Sequence, residues 1–188
     1  MLVQNLIIIV LFIILFVIFF TVITKVKMQG GELFGKPTIS FPLQIFGKIS
    51  LLIPSFYLLL EALGFQLTMI ILPDFLKWVA VLIAFEGMLM LYFSLLHLNR
   101  YTKMGLPKND KIELKTTGIY RLSRNPMYFG LYLLAIASNL FVPNYFNMAF
   151  AFVGILIHHL IIGKEEKFLE EKFGIEYPAY KEKTKRYL

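Results

Sequence analysis

Two short stretches of the chain concentrate the side chains able to do chemistry. One carries Arg121, Arg124, Asn125 and Tyr128; the other carries His158, His159, Glu165 and Glu166. Bases, carboxylates and aromatics converging over apolar surface are the pattern of a small-molecule site. Each group also has a plainer reading. Asn125-Pro126 is a good helix start, with Asn as N-cap and Pro at the first helical position, and an exposed helix N-terminus is itself an anion site. Arg121 and Arg124 serve equally well as anchors at a membrane interface. Glu165 and Glu166 open a helix, EEKFLEEKFG, that Gly174 ends, and acids in a first turn complement the helix dipole. Residue types alone leave these readings open. No metal site is expected. His158 and His159 are adjacent and do not share a helix face, and the chain has neither cysteine nor an HExxH pair. A phosphate loop, a Rossmann glycine pattern and a GxSxG serine are also absent from the sequence.

The elements that must position these residues follow from composition. The chain has 188 residues, 58% apolar and 16% charged, against roughly 45–50% and about 25% in a soluble domain. Residues 6–23 are apolar except for Thr21, with Lys25 and Lys27 behind them. That run is close to the ~20 residues that cross a bilayer. It has no charge ahead of it, so it reads as a retained span rather than a signal peptide. Further spans are expected at 43–65, 75–98, 126–142 (a short one) and 145–163. The link Pro143-Asn144 makes the last two an antiparallel hairpin, which brings the start of the fourth span beside the end of the fifth. The expected fold is therefore an all-α integral membrane protein: five transmembrane helices with a C-terminal helical hairpin and a helical tail.

Charge sets the direction. Nineteen Lys+Arg against twelve Asp+Glu give +7. A basic chain could bind nucleic acid, but here the cations lie between apolar runs, which suits an anionic membrane surface and no nucleic acid. They fall in 25–36 (Lys25, Lys27, Lys36), in 99–125 (Arg100, Lys103, Lys108, Lys111, Lys115, Arg121, Arg124) and from Lys164 onward, whereas 66–74 and 143–144 hold none. Lys77, near a neutral end, is the exception. The positive-inside rule puts the basic segments in the cytosol and the N-terminus outside, in the inner membrane if bacterial or the endoplasmic reticulum if eukaryotic. The chain then reads as one membrane domain, 1–188: three spans in 1–98, a cytosolic loop at 99–125, the hairpin at 126–163 and a cytosolic tail at 164–188. Glu61 and Glu86 fall within spans, where a carboxylate costs roughly 2.5–3.5 kcal/mol. Interhelical hydrogen bonding and a substrate site are both open for them.

GIYRLSRNPMYFG (118–130) resembles the signature G-x-Y-x-x-x-R-[HN]-P-x-Y-x-G of the isoprenylcysteine carboxyl methyltransferase and phospholipid methyltransferase superfamily. EEKFLEEKFGIEYPAYKEKTKR (165–186) is similar to that family's E-E-x-x-L-x-x-x-F-G-x-x-Y-x-x-Y-x-x-x-x-x-R tail. The resemblance implies an integral-membrane methyltransferase that uses S-adenosylmethionine, releases S-adenosylhomocysteine and acts on a lipophilic acceptor: a prenylcysteine carboxylate or a phospholipid amine. It implies a cofactor pocket built from Tyr120, Arg124, Asn125, Pro126, Tyr128, Gly130, Glu165, Glu166, Tyr177 and Tyr180, to which the hairpin adds His159. Arg124, Glu166 and Arg186 are the expected catalytic residues. Arg124 would orient a carboxylate. Glu165 and Glu166 would bind the cofactor's ammonium or ribose, or take a proton from an amine. Arg186 would close the pocket, and Tyr120 or Tyr128 would face the sulfonium. Two departures stand out: Asn125 occupies a position where many members carry His, and the chain stops at Tyr187-Leu188 where members often end R-x-x-P. A sterol-reductase-type membrane enzyme using NADPH and a small transporter are the alternatives. The sequence does not give an oligomeric state.

Overall fold

The computed structural model describes residues 2–29, 37–97 and 113–188, and these form helices with no strand among them. Lys36, Arg100, Lys103, Lys108 and Lys111, expected in basic loops, lie outside the described residues. The elements are α1 (Val3–Met28), α2 (Phe41–Ala62), α3 (Phe75–Leu96), a short 3-10 turn (Gly118–Arg121), α4 (Pro126–Phe141), α5 (Tyr145–Phe173) and α6 (Glu176–Lys183). Four of them, α1, α2, α3 and α5, are long and apolar enough to cross a membrane. With 16 residues, α4 is shorter than the ~20 a perpendicular crossing needs.

Small residues set the helix packing. A Cβ on Gly130 of α4 would sit 2.7 Å from the Gly87 carbonyl of α3, and one on Gly87 would sit 2.9 Å from the Gly130 carbonyl. A Cβ on Gly154 of α5 would meet the Leu51 backbone of α2 at 2.6 Å. Lipid tails give no hydrophobic drive between helices, so close backbone approach through glycine is what holds such pairs. Ile8, Phe12, Leu58, Ala84, Leu134 and Phe141 fill the centre between α1, α2, α3 and α4. Two polar side chains bond across the helices: Ser138 Oγ donates to the Pro54 carbonyl (2.5 Å), and Asn147 Nδ2 donates to Ser138 Oγ (2.9 Å).

Hydrogen bonds define two ends of the bundle. At one, Met69 and Ile70 N–H both donate to the Pro143 carbonyl (3.0 Å), and Asn144 Nδ2 donates to Leu67 O (2.7 Å). Glu61 belongs to this end, accepting from Leu67 N, Thr68 N and Thr68 Oγ1, so its carboxylate orders the segment after α2. At the other end meet the C-terminus of α3, the 3-10 turn, the start of α4, the latter part of α5 and α6.

Three local expectations are corrected. The second helix stops at Ala62 rather than 65, since Gly64 turns the chain at φ +103°. Glu165 and Glu166 do not open a helix. α5 runs unbroken from 145 to 173, because Gly163 alone costs only about 1 kcal/mol inside a helix. Pro126 starts α4 as expected, yet Asn125 makes no side-chain cap; its amide is used elsewhere.

Candidate active site

The signature segment is first pinned to α3. Gly118 has φ +62°, and a Cβ there would lie 2.5 Å from His97 Nε2. Glycine therefore lets the turn lie against the end of α3. The His97 ring stands edge-on to Tyr120 at 5.9 Å. From α6, the Tyr180 hydroxyl donates to the Tyr120 carbonyl (2.5 Å). Tyr177 is buried edge-on to Tyr180 at 6.0 Å.

The next three residues join the chain's last residues. Arg124 N–H donates to Lys185 O (3.0 Å), and Ser123 Oγ donates to Arg186 O (3.0 Å). Arg124 Nη1 donates to the carbonyls of Thr184 and Lys181. Glu166 sits at the centre. Its Oε1 accepts from Arg124 Nε (3.1 Å) and Asn125 Nδ2 (3.0 Å), and its Oε2 from Arg186 Nε (3.1 Å) and Nη2 (2.7 Å). The side chain of Glu166 is 4% exposed and that of Arg124 9%, while Arg186 keeps 33%. A buried carboxylate between two guanidinium forks has its lone pairs filled, the condition under which such a charge is tolerated away from water. The cluster thus latches the C-terminal segment onto the start of α4.

Glu165 points to the other side. Its Oε1 accepts from Tyr128 Oη (3.2 Å) and from Thr38 Oγ1 (3.5 Å), just ahead of α2. His159 is exposed; its Nδ1 is 2.8 Å from Tyr187 Oη, and its Nε2 is 3.4 Å from Arg186 Nη1. Tyr187 packs on Tyr132 (5.5 Å) and stacks on Phe129 (6.2 Å). Alongside lies an open groove of about 540 Å³, walled by Ile39, Ser40 and Leu43 at the start of α2, by His159, Leu160, Gly163 and Lys164 of α5, and by Arg186. That volume is within the roughly 300–1,000 Å³ of small-molecule sites.

The electrostatics follow from these contacts. The hydrogen bonds and charge of Glu166 hold the Arg186 guanidinium above its ordinary pKa. Burial pushes the Tyr120 phenol up to about 12 and raises Tyr177, Tyr180 and Tyr187 as well. These phenols stay neutral and act as hydrogen-bonding and packing groups.

The structure brings Tyr120, Arg124, Asn125, Tyr128, His159, Glu165, Glu166, Tyr177, Tyr180 and Arg186 to one end of the bundle. Pro126 adjoins them at the start of α4, whereas Gly130 faces Gly87 and serves the α3–α4 crossing. Arg121 is exposed on the turn. Ser123, Thr184 and Tyr187 were not singled out by sequence reading. Ser123 and Thr184 fall on unspecified positions of the two motifs, and Tyr187 lies beyond the tail motif. Among the described residues no group of three His, Asp or Glu could hold a metal ion.

Comparison with known proteins matches residues 70–176, more than half of the chain, to a family described as phospholipid methyltransferase. A relative from Haemophilus influenzae, described as an uncharacterized protein, is 39% identical over 67 residues, covering 33% of this chain and 100% of that protein.

Proposed function

This chain belongs to the phospholipid methyltransferase family, and from that membership we propose that it transfers a methyl group from S-adenosylmethionine to a lipophilic acceptor at a membrane surface. The observation that carries the reading is the latch centred on Glu166. It binds the two motif segments together beside a groove that is apolar along Ile39, Leu43 and Leu160 and cationic at Lys164 and Arg186.

The donor set fits the cofactor. Arg186 is tethered by Glu166 yet a third exposed, and it lines the groove, so it presents a fixed cation to an amino-acid carboxylate. Arg124 was expected in that part. Its guanidinium is committed to Glu166 and to tail carbonyls, which favours Arg186 for the carboxylate and makes Arg124 a positioning residue. Glu166 likewise positions Arg186 rather than meeting an ammonium itself. Glu165, accepting from Tyr128 and Thr38, remains the carboxylate for the ammonium or ribose. Aliphatic walls suit the adenine, and Ser40 offers a hydroxyl. When bound, S-adenosylmethionine supplies a methyl group on a sulfonium whose charge disperses as the group moves in line to a nucleophile. The residues here contribute orientation and exclusion of water. His159, whose ring nitrogens meet Tyr187 Oη and Arg186 Nη1, helps hold Arg186 on the groove wall.

In this reading α4 is the short fourth of five spans. The end carrying the basic segments faces the cytosol, and the groove opens toward the bilayer to admit a prenylcysteine carboxylate or a phospholipid amine. Calorimetry with S-adenosylhomocysteine and with NADPH tests the cofactor. Binding of the first alone is expected, and binding of NADPH alone overturns the proposal. Transfer of labelled methyl groups into a lipid extract and a panel of prenylated thiols then identifies the acceptor, and no incorporation into either rejects this acceptor class.

A further inference from the structure

The groove has two walls, and only one of them belongs to the motif segments and α5. Ile39, Ser40 and Leu43 form the other. They lie outside residues 70–176, the part of the chain matched to the family. Leu43 is in α2, but residues 37–39 precede that helix, so side chains rather than helical hydrogen bonds must place them.

Two contacts do so, both through Thr38. Its backbone N–H donates to Gln44 Oε1 (2.9 Å), and its Oγ1 donates to Glu165 Oε1 (3.5 Å). Gln44 is itself held firmly. It is buried on the face of α2 that carries Gly47 and Leu51. A Cβ on Gly47 would lie 2.5 Å from Ile157 Cγ2, so glycine seats α2 close against α5 one turn past Gln44. A glutamine buried without a partner is costly; here its acceptor oxygen meets the N–H of the residue that leads into the wall.

We propose, on the cofactor reading above, that Gln44 and Thr38 are positioning residues for the nucleoside half of S-adenosylmethionine. They hold residues 38–40 as a wall for the adenine and turn Glu165 toward the ribose. Arg186 hangs from Glu166 and serves the amino-acid carboxylate. Glu165 is the adjacent residue, about 100° round the helix, and its Oε1 is held from the α2 side by Thr38 and from α4 by Tyr128. Its Oε2 has no hydrogen bond among the described residues. A carboxylate oxygen accepting from ribose hydroxyls is the arrangement dinucleotide sites use. Ile39 and Leu43 give the adenine ring aliphatic surface, with Leu160 on the α5 wall.

Calorimetry with S-adenosylhomocysteine and with 5′-methylthioadenosine, which keeps the nucleoside and lacks the amino acid, tests the assignment. Gln44→Met keeps the length of the side chain without its acceptor. It should weaken both ligands by the same factor, about fivefold for one lost hydrogen bond. Gln44→Glu, which restores the acceptor, should stay within about twofold of wild type. Thr38→Val should weaken both ligands, and Thr38→Ser should not. Arg186→Met should weaken S-adenosylhomocysteine alone. The chain has no cysteine, so spin labels at Pro37→Cys and Lys167→Cys, both exposed, report the wall directly. Their distance distribution should be narrow with Gln44 and broad in Gln44→Met. Circular dichroism checks folding, and Thr38→Val carries the test where Gln44→Met does not fold. A loss in Gln44→Met or Thr38→Val confined to S-adenosylhomocysteine overturns the nucleoside assignment. Unchanged affinities, an unchanged label distance, or a Gln44→Glu variant as weak as Gln44→Met overturns the positioning role. A wild type that binds neither ligand removes the cofactor reading and the nucleoside assignment with it, and the label distance then decides alone whether Gln44 holds the wall.

Discussion

Replacing Glu166 by Gln removes the one negative charge that Arg124 and Arg186 share. The cost can be worked from burial. With Arg124 9% and Glu166 4% exposed, removing one partner leaves an uncompensated buried cation, an effect of about 3–5 kcal/mol. The pair with Arg186 is one-third exposed and contributes no more than ~1 kcal/mol. Gln keeps one acceptor oxygen, so the lower value, ~3 kcal/mol, applies to the latch, or roughly a 150-fold shift toward its open form. Thermal unfolding of the detergent-solubilised variant should fall, and affinity for S-adenosylhomocysteine should drop at least tenfold because Arg186 is no longer held on the groove wall. The double variant Arg124→Leu with Glu166→Leu should recover much of the stability, since the buried charge is gone, without recovering affinity. Unfolding and affinity both within twofold of wild type in Glu166→Gln would refute the latch.

Three further outcomes follow from other contacts. Asn125→Asp sets a second carboxylate beside Glu166 Oε1, now 3.0 Å from the Asn125 amide. It should lose at least tenfold in cofactor affinity, while Asn125→His, still able to donate, stays within about threefold; equal affinities would remove the amide from the latch. Gly130→Ala places a Cβ 2.7 Å from the Gly87 carbonyl, and overpacking of this kind costs about 1–3 kcal/mol. Its melting temperature should fall while the folded fraction binds cofactor normally, and lost affinity in stable protein would instead assign Gly130 to the pocket. Tyr120 is raised by burial from 10.0 to about 12. A raised folded value means the stability it contributes is complete below pH 10 and is lost as pH rises through about 12. Ultraviolet titration should show late tyrosinate formation coinciding with release of the C-terminal segment, and ionisation at pH 10 without unfolding would contradict its burial.

Much of the frame was legible before any coordinates. Helix bounds track the apolar runs within a few residues: 75–98 was expected and Phe75–Leu96 found, 126–142 was expected and Pro126–Phe141 found. Pro126 and Gly174 act as the start and stop their chemistry dictates. The break expected at Glu165 did not occur, because one glycine is a weak local signal against continuous backbone hydrogen bonding. Glu61 and Glu86 looked alike in sequence, as carboxylates inside spans. One orders the segment after α2; the other faces outward.

Sequence by itself determined the membrane-spanning helices, the basic and neutral segments and the two motif stretches, because hydropathy, charge and helix-end chemistry are properties of neighbouring residues. Tertiary structure alone decided which arginine is buried and which faces the groove, that the Asn125 amide serves Glu166 instead of capping α4, and that Gly130 belongs to a helix crossing. A carboxylate selects its partners by distance and burial, and those are set by how the helices pack, across sequence separations of 20 and 42 residues for Glu166 with Arg186 and Arg124.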